Sequence, residues 1–113
     1  MGEFGETMAR KYLEHKGYLI CHENYRCPRG EIDIVAKDGE DLVFIEVKTR
    51  SSLQFGEPFE SVNRMKQKRM IKLAHFYLNH KKIMNANVRF DVVSVQVDHS
   101  WKVKEIKLIK NAF

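Results

Sequence analysis

Cysteine and proline are both scarce in this sequence of 113 residues, which contains two of each. Two cysteines can form neither the disulfide framework of a small secreted protein nor a four-cysteine zinc site. Cys21 and Cys27 are typical of free thiols in a reducing compartment, so we predict a cytoplasmic protein.

Long apolar runs are also absent, since no stretch approaches the roughly 20 residues that a helix needs to span a bilayer. The first six residues include two acidic side chains and lack the pattern of a signal peptide. We therefore predict no membrane partner. The length is that of one modest core, so residues 1–113 are expected to form a single domain.

Charge is plentiful, because 31% of the residues are charged and the formal net charge is +5. The sequence pI of about 9.3 favours a polyanionic partner such as nucleic acid. A lysine-rich surface that is merely solvated explains the same balance equally well.

Patterns of apolar residues predict two helices and five strands in the order α-β-β-β-α-β-β, which indicates an α/β fold. The predicted ranges are a helix over 5–16, strands over 18–26, 31–37 and 42–48, a loop over 49–57, a helix from 58 to about 79, and strands over 88–97 and 101–109. Gly17 suits a helix C-terminal cap, and Pro58 suits a first helical turn.

The apolar positions also predict which side chains face the core. The second helix should direct six residues inward: Val62, Met65, Leu73, Ala74, Tyr77 and Leu78. In the strand predicted over 88–97, the alternation of apolar and polar residues is interrupted at Val92 and Val93. This interruption indicates either a bulge or burial on both faces of the strand. The last strand is rich in lysine and is therefore expected at a sheet edge.

The second and third strands carry charges within otherwise apolar runs. Successive side chains of a strand alternate between faces, so Glu31 shares a face with Asp33, and Glu46 with Lys48. The opposite face of the second strand is apolar: Ile32, Ile34 and Ala36. Asp38-Gly39 is a hairpin signal, and the hairpin can bring Asp33 near Glu46 and Lys48. Two carboxylates and an ammonium suit a hard divalent cation held beside a phosphate.

This arrangement resembles the PD-(D/E)XK nuclease superfamily: a helix, a three-strand meander with an acid and then Glu-x-Lys, a helix and a strand. More narrowly, the chain resembles the bacterial YraN-type family, which is related to archaeal Holliday-junction resolvases. The residues that carry the narrower resemblance are Gly5-Glu6, Asn24-Tyr25-Arg26, Gly30 to Asp33, Phe44 to Arg50, Phe55-Gly56 and Arg89 to Val93. The resemblance implies a restriction-endonuclease-like mixed sheet flanked by helices.

The resemblance also implies roles for the charged residues. Asp33 and Glu46 would be catalytic acids and metal ligands, with Glu6 as a further ligand, and Lys48 would assist the attacking water or the transition state. Each has a plainer reading, as an ion-pair partner or, for Glu6, as a favourable charge at a helix N-terminus. Glu31 stays open between a further acid of the site and a partner for a nearby arginine.

The second helix has a strongly basic face, which relatives use to hold phosphates. With Arg50 before it, the set is Arg64, Lys66, Lys68, Arg69 and Lys72. A solvated lysine face is the alternative. The Gln-x-x-x-Tyr variant of this helix is missing, because Gln67 is followed four residues later by Ile71. Asp91, close to Arg89, is expected to be a structural ion-pair partner rather than a ligand.

The resulting prediction is a Mg²⁺- or Mn²⁺-dependent endonuclease acting on branched or otherwise structured DNA. Two other readings stay open: a nucleic-acid-binding module that keeps the fold with little or no catalysis, and a scaffold that binds protein. A homodimer is implied by the resemblance alone, since a four-way junction presents two symmetric scissile sites.

Overall fold

The computed structural model describes residues 2–51 and 62–113, which form two helices and five strands. The elements are α1 (Gly2–His15), β1 (Leu19–Cys27), β2 (Gly30–Asp38), β3 (Asp41–Ser51), α2 (Arg64–His80), β4 (Asn87–Val97) and β5 (Val103–Ile109). The predicted order α-β-β-β-α-β-β is confirmed. Gly17 follows α1 with a φ of 95°, as its predicted role in a helix cap requires.

The five strands form one sheet in chain order, β1-β2-β3-β4-β5. Only β3 and β4 are parallel among these pairs, and α2 lies in the crossover that a parallel pair needs. Within the described residues β1 and β5 are the edges, so the prediction of a final edge strand is confirmed. No helix in residues 2–51 or 62–113 is long and apolar enough to cross a membrane.

Helices cover the sheet on both faces. On one side α1 contributes Ala9 and Leu13 to a buried cluster with side chains such as Ile45 and Val93. On the other side α2 packs Leu73, Ala74 and Tyr77 against the opposite face of β2 and β3. Val92 and Val93 are both fully buried and the ladder with β3 has no register shift there, so burial on both faces is the correct one of the two alternatives for β4.

The chain segment after Lys48 differs from its prediction. Thr49, Arg50 and Ser51 belong to β3 instead of a loop, because the parallel ladder with β4 continues to Ser51↔Val97. These backbone partners override the weak strand propensity of the segment. The rest of the predicted loop and the helix start at Pro58 lie outside the described residues.

The described part of α2 begins at Arg64, because Asn63 is extended and caps the helix with a side chain that accepts from the Lys66 amide (2.9 Å). The inward position predicted for Met65 is wrong, since 73% of this residue is exposed, and Met70 is buried instead. Five residues correspond to about 140° around a helix, so these two side chains cannot share one face.

A network of charged groups around Arg89 joins the starts of β3 and β4. Asp91 is fully buried and accepts bonds from Arg89 Nε (2.9 Å), Arg89 Nη2 (2.8 Å) and the Tyr18 hydroxyl (2.8 Å). Arg89 also donates to Asp38 (2.8 Å) and Asp41 (2.9 Å) at the β2–β3 turn. Asp91 is thus a structural ion-pair partner, as predicted.

Candidate functional site

The candidate site lies where β2 and β3 stop pairing. Their register runs from Asp38↔Asp41 to Ile34↔Ile45, and the next side chain of β2, Asp33, accepts a hydrogen bond from the Val47 amide (2.8 Å). Strict alternation fails at this point. Ile32 packs in the α2-side cluster, whereas Ile34 and Ala36 lie in the α1-side cluster as alternation requires.

Three carboxylates converge at this opening. One oxygen from each of Glu6, Glu31 and Asp33 lies within 4.8 Å of the others. Glu6 reaches the sheet because α1 approaches β3 very closely: a Cβ added at Gly5 would overlap the Thr49 hydroxyl oxygen. Two oxygen ligands at about 2.0–2.6 Å on opposite sides of an ion are about 4.0–5.2 Å apart, so a cluster that lies within 4.8 Å has the size and chemistry for a hard divalent cation.

Asn24 of β1 joins two of these acids. With its amide nitrogen turned toward them, the side chain donates to Glu31 Oε1 (2.7 Å) and to Glu6 Oε1. Asn24 has a φ of 51°, a left-handed conformation that asparagine tolerates better than most residues. Glu31 also pairs with exposed Arg26 (Nε–Oε2 3.5 Å), so both readings left open for Glu31 have a counterpart here.

Glu46 lies outside this three-acid group and is held by two ammonium groups. Lys66 Nζ is 2.9 Å from Glu46 Oε1, and Lys48 Nζ is 3.6 Å from the same oxygen. Only 13% of the Glu46 side chain is exposed, so this carboxylate has little water to stabilise its charge. The sequence assigned Lys66 to an outer phosphate-binding face, but the structure places it against Glu46.

Burial and crowding of like charges shift the carboxyl pKa values. Burial and then the charge of Glu46 raise the pKa of Asp33 to about 7, although the Val47 amide opposes the shift. Burial and the neighbouring Glu31 also raise the pKa of Glu6. Carboxylates crowded in this way are stabilised by a bound cation, because the cation offsets their repulsion.

The two lysines are shifted in opposite directions. Burial and the adjacent Lys66 lower the pKa of Lys48. Burial opposes protonation of Lys66 too, but its bonds to Lys48 and Glu46 raise the net pKa of Lys66. Lys66 therefore retains its proton more strongly, and Lys48 loses its proton more readily.

The four acids and Lys66, but not Lys48, line a cleft of about 430 Å³. Its residues are Glu6, Arg29, Gly30, Glu31, Asp33, Glu46, Lys66, Arg69, Met70 and Leu73. A second pocket of about 400 Å³ shares Arg29, Arg69 and Leu73 with it and also contains Lys68 and Lys72. The remaining predicted phosphate contacts are dispersed. Arg64 is exposed at the start of α2, and Arg50 is half-buried near the end of β3.

Asparagine at position 33 should stabilise the metal-free protein at high pH. The folded state holds the Asp33 proton up to about pH 7, whereas an ordinary aspartate releases it near 3.8. The free energy of unfolding should therefore fall as pH rises from about 4 to 7 and stay low above that range. At pH 8 we expect Asp33→Asn to gain about 2–4 kcal/mol in chelator-treated buffer, and at pH 4 almost nothing.

Urea denaturation across this pH range measures the effect, with Glu40→Gln at the exposed hairpin turn as a control that removes the same charge. Equal stability of wild type and Asp33→Asn at pH 8 would show that the charged Asp33 carboxylate does not destabilise the folded state. Adding Mn²⁺ should make the wild type more stable than Asp33→Asn, because only the wild type has the full set of carboxylate ligands.

Sequence reasoning missed two residues of the cleft region. The position of Asn24 within a predicted strand could have pointed to its role, because asparagine is unfavourable inside a strand unless its backbone or side chain has a special function. Arg29 lines both pockets from the turn between β1 and β2. No spacing rule pointed to Arg29, since only the β1–β2 connection brings it to α2.

Comparison with known proteins gives one consistent result. Residues 5–95 match the model of a family described as "Uncharacterised protein family UPF0102". A UPF0102 protein of Caldicellulosiruptor saccharolyticus is 45% identical over 113 residues, covering 100% of this chain and 96% of the relative. One of Moorella thermoacetica is 49% identical over 112 residues, covering 99% and 93%. The chain therefore belongs to the UPF0102 family.

Proposed function

We propose that this protein is a Mg²⁺- or Mn²⁺-dependent endonuclease that hydrolyses phosphodiester bonds. One observation carries the proposal: three carboxylate oxygens lie within 4.8 Å of one another, in a cleft that also contains Glu46 and Lys66. Acids grouped only for surface solubility would not be gathered in a cleft beside half-buried lysines. Membership of the PD-(D/E)XK superfamily, which the sequence resembles, is part of the same proposal.

The donor set fits the ion. Carboxylate oxygens are the ligands that Mg²⁺ and Mn²⁺ favour, and Asp33, Glu6 and Glu31 would hold the ion, with Glu46 beside them. When bound, such an ion would polarise the phosphodiester and lower the pKa of water at the site.

The residues of the chain have separate tasks in this proposal. The Val47 amide fixes Asp33 through a 2.8 Å bond, so the carboxylate does not have to be ordered when the substrate binds. Lys48 has a lowered pKa and can accept a proton from the attacking water. Lys66 has a raised pKa and provides a lasting positive charge for the scissile phosphate.

A cationic surface continues from the cleft and supports a nucleic-acid substrate. Arg29 and Arg69 line both pockets, and Lys68 and Lys72 extend the positive lining along α2. Such cations neutralise backbone phosphates and make affinity depend on salt. Branched or structured DNA as the substrate, and a two-fold dimer to cut it, enter the proposal through the resemblance to junction resolvases.

The test combines metal binding with cleavage. Isothermal calorimetry should detect Mn²⁺ binding to the wild type and none to Asp33→Ala. Purified wild type with Mg²⁺ or Mn²⁺ should cleave at least one member of a panel of duplex, flap, four-way-junction and single-stranded DNA and RNA. Asp33→Ala and Glu46→Gln should be inactive on it, while Glu40→Gln should match the wild type.

Equal Mn²⁺ binding by wild type and Asp33→Ala would overturn the metal site. A wild type that binds DNA and Mn²⁺ yet cleaves nothing on the panel would favour the non-catalytic binding module instead.

A further inference from the structure

The second pocket, beside the acidic cleft, has a mixed lining. Its residues are Arg29, Met65, Lys68, Arg69, Lys72 and Leu73. Four of these six side chains are cationic and none is acidic, so the pocket favours an anionic ligand. Its volume of about 400 Å³ is at the small end of the roughly 300–1,000 Å³ typical of small-ligand pockets.

Phosphate binding alone does not account for the apolar side chains. Met65 is 73% exposed within this otherwise basic surface, and Leu73 forms part of the same lining. A flat cationic face would hold a duplex backbone without an exposed methionine. A methionine thioether makes favourable contacts with aromatic rings, and nucleobases present ring faces of that kind.

We propose that this pocket binds one unpaired nucleotide, with its base on the exposed Met65 and its phosphates on Lys68, Arg69 and Lys72. The inference rests on the proposed nuclease function for its place in the reaction. Because the pocket shares Arg29, Arg69 and Leu73 with the cleft, the bound nucleotide would adjoin the scissile phosphate. A base paired within a duplex cannot enter a concave pocket, so the preferred substrate has an unpaired nucleotide next to the cleaved bond.

A binding experiment tests the pocket without any need for catalysis. The probes are a fluorescent octamer of thymidine and an octamer of the same length made of abasic nucleotides, both in metal-free buffer. The two carry equal numbers of phosphates and differ only in their bases. Stacking of one base on an apolar side chain should make the wild type bind the thymidine octamer about tenfold more tightly.

Met65→Ala should reduce that preference to about twofold or less and leave the affinity for the abasic octamer unchanged. Met84→Ala is the matched control, because Met84 is also highly exposed (84%) but lies between α2 and β4, outside the pocket. It should keep the tenfold preference. Both methionines are exposed, so neither substitution should impair folding.

A second measurement separates phosphate from base contacts. A Lys68→Ala, Lys72→Ala double variant should lower the slope of log affinity against log salt by about 1.4, as expected for two lost contacts to a single strand. It should do so equally for both octamers.

Two results would overturn the pocket: equal wild-type affinity for the two octamers, or a base preference that survives Met65→Ala. The outcomes differ from those for the nuclease proposal. A base preference lost in Met65→Ala supports the pocket even if no substrate is cleaved, and cleavage with equal octamer affinities would support the nuclease while removing the pocket.

Discussion

Replacing Lys48 with methionine should lower the cleavage rate by about 10²- to 10³-fold, which is the loss found when one electrostatic donor is removed from an active site. The same substitution should leave nucleic-acid affinity within about twofold of the wild type. Lys48 Nζ lies 3.6 Å from Glu46, and the proposed mechanism assigns Lys48, whose pKa is lowered, to accept the proton of the attacking water. Methionine keeps most of the apolar stem, so the loss is confined to the ammonium group. Single-turnover cleavage and equilibrium binding in Ca²⁺ measure the two quantities separately.

Lys66 and Lys68 provide the comparisons. Lys66→Met should slow cleavage but also tighten Mn²⁺ binding about tenfold in calorimetry, since it removes the cation that lies 2.9 Å from Glu46 and repels the metal. Lys68→Met, on the exposed face of the same helix, should leave Mn²⁺ binding within about twofold of the wild type, because Lys68 does not line the acidic cleft. Wild-type cleavage by Lys48→Met would exclude a chemical role for Lys48.

The second large effect concerns stability. Arg89→Met should lower the free energy of unfolding by about 3–5 kcal/mol, because Asp91 is fully buried and would keep its charge without its cation. The Tyr18 hydroxyl (2.8 Å) and the Asn111 amide (2.9 Å) would remain as donors to Asp91, but neither carries a charge. Urea denaturation at neutral pH measures the loss.

An exposed arginine separates this effect from the general loss of a salt bridge. Arg10→Met removes the bridges to Glu14 and Glu23 (3.0 Å each) on the protein surface and should reduce stability by no more than about 1 kcal/mol. Asp91→Asn added to Arg89→Met should recover part of the loss, since it removes the unpaired charge. If Arg89→Met and Arg10→Met have equal effects, the network around Arg89 does not stabilise the fold as argued.

Much of the architecture followed from local patterns along the chain. The order of helices and strands was predicted, because the apolar runs at 31–37 and 42–48 and the helical spacing over α1 and α2 are properties of neighbouring residues. The edge position of β5 was predicted from its lysines, and burial on both faces of β4 was one of two alternatives that the interrupted alternation at Val92 and Val93 left open.

The boundaries and faces that depend on partners were less predictable. The parallel pairing with β4 extends β3 to Ser51, although the segment after Lys48 has the composition of a loop. Met65 is exposed and Met70 buried, because the docking of α2 on the sheet selects one face among several that its sequence permits.

The candidate site likewise has a part that the sequence predicted and a part that only the tertiary structure shows. The hairpin alone was enough to predict that Asp33 lies near Glu46, which lines the same cleft, since a single turn separates the two residues. The meeting of Glu6, Glu31 and Asp33, the bridge made by Asn24, and the contact of Lys66 with Glu46 join residues far apart in the chain. Local periodicity contains no information on such distances. They follow from how closely α1 approaches β3 at Gly5 and from where β2 and β3 stop pairing, and packing of the whole sheet against its helices decides both.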